Sequence, residues 1–157
     1  MVLVILGTQD KCFDRLLKMV SQAKKDGLIK EEVKVQGGCT KYTGNDLDVF
    51  DYTSPSKLKE MMKEASYVIC HGGVGSILDA LKLKKKVIAV ARRCEYKEHT
   101  NNHQLQIIKE FSTLGYIIDG SDNLDIAIKK LSGFEPKTYQ SNNQNFINLL
   151  NDYIAKN

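Results

Sequence analysis

The residues most able to do chemistry are gathered in His71-Gly72-Gly73-Val74-Gly75-Ser76-Ile77-Leu78-Asp79-Ala80-Leu81. Three glycines sit between a short apolar run, Ala65–Cys70, and a helical apolar face formed by Val74, Ile77, Leu78 and Leu81. That is a strand-to-helix turn. Glycines there let a ligand approach the backbone, and a helix N-terminus presents unpaired N–H groups and a partial positive charge. A diphosphate suits such a turn, so the segment points to a nucleotide or nucleotide-sugar ligand. It is neither of the two common phosphate loops. A dinucleotide fingerprint needs G-x-G-x-x-G with an acid about 20 residues on, and a Walker loop needs a Lys-Ser/Thr pair after its last glycine. Here the run is G-G-V-G-S, and the nearest acid, Asp79, lies on the helix itself.

The rest of the chain supplies the elements that must position this turn. Val2–Leu6 reads as a strand ending at Gly7-Thr8, followed by a helix with Phe13, Leu16, Leu17 and Val20 on its apolar side. Glu32–Gln36 is a second strand leading into Gly37-Gly38, and Asp46–Tyr52 a short third one. Ser54 caps a helix that has Pro55 at its first position and runs to about Glu64. Tyr67–Cys70 and Lys86–Ala91 are buried strands, with an irregular stretch from Arg92 to Thr100. Asn101–Leu114 is a helix with Leu105, Ile108 and Phe111 or Ser112 inward, stopped by Gly115. Tyr116–Asp119 is the last strand, and Asn123–Leu131 a helix capped by Ser121 or Asp122. Asn142–Ala155 reads as a final amphipathic helix carrying Phe146, Leu149, Leu150, Tyr153 and Ile154.

Strands alternating with helices imply an α/β fold with a doubly wound parallel sheet. Ligands of such sheets bind beyond the carboxyl ends of the strands. Thr8, the Gly37-Gly38 turn, Tyr52-Thr53, the His71–Ser76 turn and the Arg92–Thr100 loop should therefore surround one crevice.

Composition narrows the classes. The 157 residues fit one domain, 1–157, with a helical tail over 137–157. Hydrophobic residues at 42% and charged residues at 27% are ordinary for a soluble globular protein. A net charge of +4 with no basic stripe does not argue for nucleic-acid binding. Cys12, Cys39, Cys70 and Cys94 include no C-x-x-C pair, and no metal-ligand spacing appears. Met1 runs straight into a strand, and no apolar run approaches a membrane span. These features predict a cytoplasmic protein with reduced thiols.

The H-G-G-x-G-S-x-x-D motif is followed by Val87–Val90, Glu98-His99, Asn102-His103-Gln104 and Leu114-Gly115-Tyr116. With Val2–Thr8, these residues resemble the C-terminal half of the family 28 glycosyltransferases, from the first strand to about Leu131. The likeness is greatest to free-standing subunits of split members. These include the eukaryotic dolichol-linked N-acetylglucosaminyltransferase subunit and bacterial exopolysaccharide and capsule subunits. Arg92–His99 resembles the bacterial polysaccharide branch more.

The resemblance implies a single Rossmann-like half of a two-domain GT-B fold. It further implies a UDP-sugar as substrate, no cofactor, and no metal at the leaving group. The partner would be a membrane-associated subunit that binds the lipid-linked acceptor and supplies the general base. By the same resemblance Gly72, Gly73, Gly75 and Ser76 face the donor diphosphate, Asp79 binds the ribose hydroxyls, and Tyr52 and Thr53 cradle uracil. Asn102, His103 and Gln104 reach the sugar and phosphates.

Each assignment has a plainer reading. The glycines could serve a tight turn into a packed helix, Asp79 could complement the helix dipole, Tyr52 could be core, and Asn102–Gln104 could cap a helix. His71 could be a satisfied strand-end histidine. Arg92 and Arg93 could meet a diphosphate or form a solvated loop, while Glu98 and His99 carry no assigned role. Lys82, Lys84, Lys85 and Lys86 read as a solvated helix end or as a face toward the partner or anionic lipid. A non-enzymatic nucleotide-binding regulator of flavodoxin-like fold and a sugar-nucleotide epimerase are the competing classes, the latter lacking room for a second domain.

Overall fold

The structure, a computed structural model, describes residues 1–140. The expected final helix at Asn142–Ala155 lies outside the described residues. One sheet of six parallel strands organises everything else: β1 (Val2–Ile5), β2 (Val33–Gln36), β3 (Asp48–Phe50), β4 (Tyr67–His71), β5 (Lys86–Val90) and β6 (Ile118–Asp119). Their order is β3-β2-β1-β4-β5-β6. This is the order of dinucleotide-binding sheets, with the chain reversing direction between β1 and β4. It is not the flavodoxin-like order, so that competing architecture is excluded.

β1 and the interiors of β4 and β5 are continuous apolar runs because both their faces are covered. Val2, Val4, Val33, Val35, Ile69, Ile88 and Ile118 face one core, beneath α1 (Asp14–Lys25) and α5 (Leu124–Lys130). Leu3, Ile5, Val68, Cys70, Val87 and Ala89 face the other, beneath α2 (Pro55–Glu64), α3 (Val74–Lys82) and α4 (His103–Thr113). A one-residue slip in any central strand would exchange these two sets.

Local expectations hold with small shifts. Ser54 accepts from the Lys57 amide at 3.3 Å with Pro55 at the first helical position, as its sequence demands. The cap of α5 is Asn123, whose Oδ1 accepts from the Ile126 amide at 3.0 Å, not Ser121 or Asp122. Those two have other tasks: Ser121 Oγ accepts from the Ala91 amide, and Asp122 pairs with Arg93. On α4, Phe111 rather than Ser112 is the inward residue, and the buried stripe is Gln104, Ile108, Phe111, displaced by one from Leu105. Residues 137–140 of the expected helical tail are not helical.

Candidate functional site

The glycine turn follows β4 at once. α3 starts three residues after His71, with Gly73 as its N-terminal flanking residue, whereas α1 starts only at Asp14, well beyond the end of β1. The short glycine-rich turn after β4 lies on one side of the point where the chain reverses.

The three glycines are there for different reasons. A Cβ on Gly72 would meet Gln104 Cβ at 2.7 Å and Ile108 Cδ1 at 3.0 Å, and one on Gly73 would meet the His71 ring at 2.1 Å. Both are needed for packing, as the plainer reading had it. A Cβ on Gly75 would touch nothing within 4 Å. Its surroundings are open. The Gly72 amide donates to Gln104 Oε1 and the Gly73 amide to His71 Nδ1, at 3.0 and 3.1 Å. The first helical acceptor is used by Ile77, which bonds the Gly73 carbonyl. The Val74, Gly75 and Ser76 amides have no acceptor among the described residues, as the first turn of a helix requires.

Asp79 is exposed, three and four residues after Ser76 and Gly75, so the three share one helix face. It is the sixth residue of a nine-residue helix, beyond the turn in which a carboxylate complements the N-terminal charge. It makes no ion pair with a described residue. The dipole explanation therefore loses its force, and the carboxylate stands free beside the open turn.

His71 closes the turn from below. Because Nδ1 accepts from Gly73, Nε2 carries the proton in the neutral ring, and it lies 3.5 Å from Ser76 Oγ. Burial, then the charge of Arg92, pushes the imidazole down to about 4, so it is neutral at pH 7. Gly7, with φ +90, exists because a Cβ there would lie 2.8 Å from His71 Nε2. β1 and β4 are thereby locked together at the point of reversal.

Several residues expected to contact the ligand are engaged in bonds within the protein. Gln104 is buried, and its Oε1 accepts from both the Gly72 and Arg92 amides at 3.0 Å, tying the β4 turn to the end of β5. It holds the turn rather than facing the crevice. Asn102 Oδ1 accepts from the Cys94 amide, and its Nδ2 donates to Glu95. Asn101, not any of these three, takes the His103 amide. His103 begins α4, half-buried.

Arg92 is 1% exposed, which contradicts both expectations for it, a diphosphate ligand and a solvated loop. Its guanidinium donates to the carbonyls of Leu6, Lys11 and Glu98 at 2.6, 2.7 and 3.1 Å, and lies 4.7 Å from the Phe13 ring centre. Glu98 is also buried and takes Arg15 in a two-pronged pair, both contacts 2.9 Å, while its Oε2 accepts from the Arg93 amide. His99 Nε2 lies 3.0 Å from Gln9 Nε2 across the rim, and burial lowers its pKa. Arg93 pairs with Asp122 at 2.5 Å.

Thr8 is exposed on the rim after β1. Tyr52 is 57% exposed and so is not a core residue. With Thr53 it lines a groove of about 430 Å³ that also takes in Phe50, Lys57 and Met61, between β3 and α2. β2 and β1 separate β3 from β4, so Tyr52 stands about 14 Å along the rim from the glycine turn, at the usual strand spacing. The structure puts both on one edge without bringing them into contact.

Sequence reading missed Gln36. Its side chain accepts from the Gly7 amide and donates to the Gly7 and Asp51 carbonyls, joining the rims of β1 and β3. In Val33-Lys34-Val35-Gln36 nothing in the sequence sets Gln36 apart from Lys34, so no signal was available. Among the described residues no cluster of His, Cys, Asp and Glu could hold a metal.

An open six-stranded parallel sheet in this order, with a glycine turn at its point of reversal, defines a Rossmann-like α/β domain. The sequence narrows this further: the chain matches the glycosyltransferase family 28 C-terminal domain over residues 1–156, and it belongs to that family. It is 27% identical over 117 residues to the UDP-N-acetylglucosamine transferase subunit ALG13 of Candida albicans, covering 74% of this chain and 36% of that protein. The chain thus spans about a third of that relative's length. Its fold matches the solution structure of ALG13, with TM-score 0.60 and 20% identity over 95% of this chain and 94% of that one. It also matches the Streptomyces sp. SF2575 glycosyltransferase SsfS6, complexed with thymidine diphosphate, with TM-score 0.57 and 17% identity over 83% of this chain and 32% of that one. These relatives add nothing to the likeness of Arg92–His99 to the bacterial polysaccharide branch.

Proposed function

We propose that the chain is the donor-binding half of a two-chain, UDP-sugar-dependent glycosyltransferase. The observation that carries this is the start of α3: three unclaimed amides, Gly75 open to approach, and the Asp79 carboxylate on the same face. The ALG13 likeness, itself to a transferase subunit, favours UDP-N-acetylglucosamine as the donor and an acceptor-binding partner chain. In this reading the diphosphate lies on the Val74, Gly75 and Ser76 amides, and Asp79 takes the ribose diol. Uracil lies toward Tyr52 and Thr53, and Thr8 and His103 face the bound donor across the crevice.

The reaction is a direct displacement with inversion. The acceptor oxygen forms its bond to the anomeric carbon as the bond from that carbon to the diphosphate oxygen breaks. The acceptor proton passes to a base, and UDP leaves with the electron pair. Fixed amides at a helix end meet the charge that develops on the leaving diphosphate, without reorganising. His71, neutral and with Nδ1 engaged by Gly73, is a weak base at pH 7. The base is therefore assigned to the partner. No helix of the described residues is long and apolar enough to cross a membrane. The chain would reach a lipid-linked acceptor at the cytoplasmic membrane face through that partner.

Calorimetric titration with UDP, UDP-N-acetylglucosamine, UDP-glucose, UDP-galactose and UDP-glucuronate tests the reading, alone and with the partner. Binding of UDP and of one sugar conjugate is expected. Failure of every one of them to bind would overturn it.

A further inference from the structure

The opposite end of α3 carries a second concave site of different character. Lys82, Lys84, Lys85, Lys86 and Lys137 line a pocket of about 270 Å³ with Glu135, Pro136 and Tyr139. Five lysines and one glutamate line it, an excess of four positive charges. Two of the five are already fixed. Lys85 Nζ donates to the Lys63 and Ala65 carbonyls at 2.6 and 2.7 Å, and Lys86 Nζ to the Leu131 carbonyl and Glu135, both at 3.2 Å. Lys82, Lys84 and Lys137 are exposed and make no ion pair with a described residue.

Helix-dipole compensation accounts for Lys82, in the last turn, but fades beyond it. Backbone conformation supplies an independent sign. Three helices end in the same motif, in which the amide after the flanking residue and the next one bond back to the helix. α1 uses Gly27 at φ +75 and α4 uses Gly115 at φ +79. α3 makes the same two bonds, Lys84 to Leu81 and Lys85 to Ala80, but places Lys84 at φ +57. A side chain there is strained where glycine is not. Strain retained in a charged pocket points to a use for the charge.

We infer that this pocket binds the phosphate group of a small phosphate ester or of an anionic phospholipid headgroup. Exposed lysines lining a cleft below drug-sized volume suit a compact, multiply accepting anion better than an extended one. The nine residues of α3 put this pocket about 14 Å from the glycine turn, so the two sites are separate and the inference does not depend on the donor reading.

The test uses the full chain and two probes. Inorganic phosphate is titrated while backbone amides are followed by NMR, and co-sedimentation is measured with phosphatidylcholine vesicles, with and without phosphatidylglycerol. Both are repeated with Lys84→Gly and Lys137→Gln. Phosphate should shift the amides of residues 81–86 and 137, in a manner weakened by salt, and Lys84→Gly should weaken it several-fold without lowering Tm. Co-sedimentation that requires phosphatidylglycerol and is lost in Lys84→Gly identifies the lipid headgroup as the source. Phosphate shifts at the pocket without co-sedimentation identify a soluble ester. Shifts confined to residues 72–76, no shifts at all, or variants that bind like the native chain would overturn the inference.

Discussion

At the scale of single residues, the three glycines of one turn make opposite predictions. Gly75→Ala adds a methyl group to open space inside a helix, so it should stabilise the fold by about 0.5–1 kcal/mol while weakening UDP binding by crowding the diphosphate. Gly73→Ala drives a Cβ against His71 and should destabilise, without any ligand present. Denaturant melts of both variants, set beside UDP titrations, separate a packing glycine from a ligand glycine. Asp79 makes no ion pair with a described residue, so Asp79→Asn should leave stability unchanged and reduce UDP affinity roughly 10- to 100-fold, the worth of a charge-assisted hydrogen bond. Calorimetry reads both quantities. His71 gives a pH signature. Its folded value of about 4 lies below the unfolded 6.5, so between these pH values the unfolded chain binds a proton that the folded chain does not. The contribution is complete above pH 6.5 and is lost as pH falls toward 4, on the order of 3 kcal/mol in all. Urea titrations at several pH values should show that slope in the native chain and its loss in His71→Asn.

At the scale of elements, the rim of the crevice is held by side chains that bond backbone groups on neighbouring loops. Arg92 gathers three carbonyls from the β1 and β5 loops, Gln104 joins the β4 turn to β5, and Gln36 joins β1 to β3. Arg92→Met would leave the Leu6, Lys11 and Glu98 carbonyls buried without donors. It should cost about 3 kcal/mol, measurable as a shifted urea midpoint at unchanged slope. These same residues mark where sequence reading stopped. The main strands and the α-helices were legible, because apolar runs and helical spacing follow from burial on two faces of one sheet. β3 has little apolar pattern, and the short 3-10 helices Cys94–Tyr96 and Leu131–Gly133 were not read. The glycine turn was legible too. What was not legible is direction: Arg92 just after β5, Glu98 in the loop that follows and Gln104 in the first turn of α4 are polar residues at the rim, where solvent, ligand and interior are all within reach. Only long-range packing turns them inward, and Phe13, beneath Arg92, is 79 positions away in the sequence. The cap of α5 was missed for a related reason. Ser121, Asp122 and Asn123 are all competent caps, and the first two are taken by Ala91 and Arg93.

At the scale of the molecule, the fold separates two kinds of positive potential along one helix. The N-terminal end of α3 offers amides and an open glycine at the crevice. The C-terminal end offers lysines at the opposite end of the strands, where β5 begins. The chain belongs to the glycosyltransferase family 28 C-terminal domain family and is similar to a transferase subunit, ALG13. The central claim is that the donor diphosphate rests on the start of α3. The most direct measurement is an NMR titration of the chain with UDP, following the backbone amides. The account predicts that the largest shifts fall on Val74, Gly75 and Ser76, with Tyr52 and Thr53 following, and that Asp79→Asn weakens them together. Saturable UDP binding whose shifts lie elsewhere, with these amides unmoved, would contradict it.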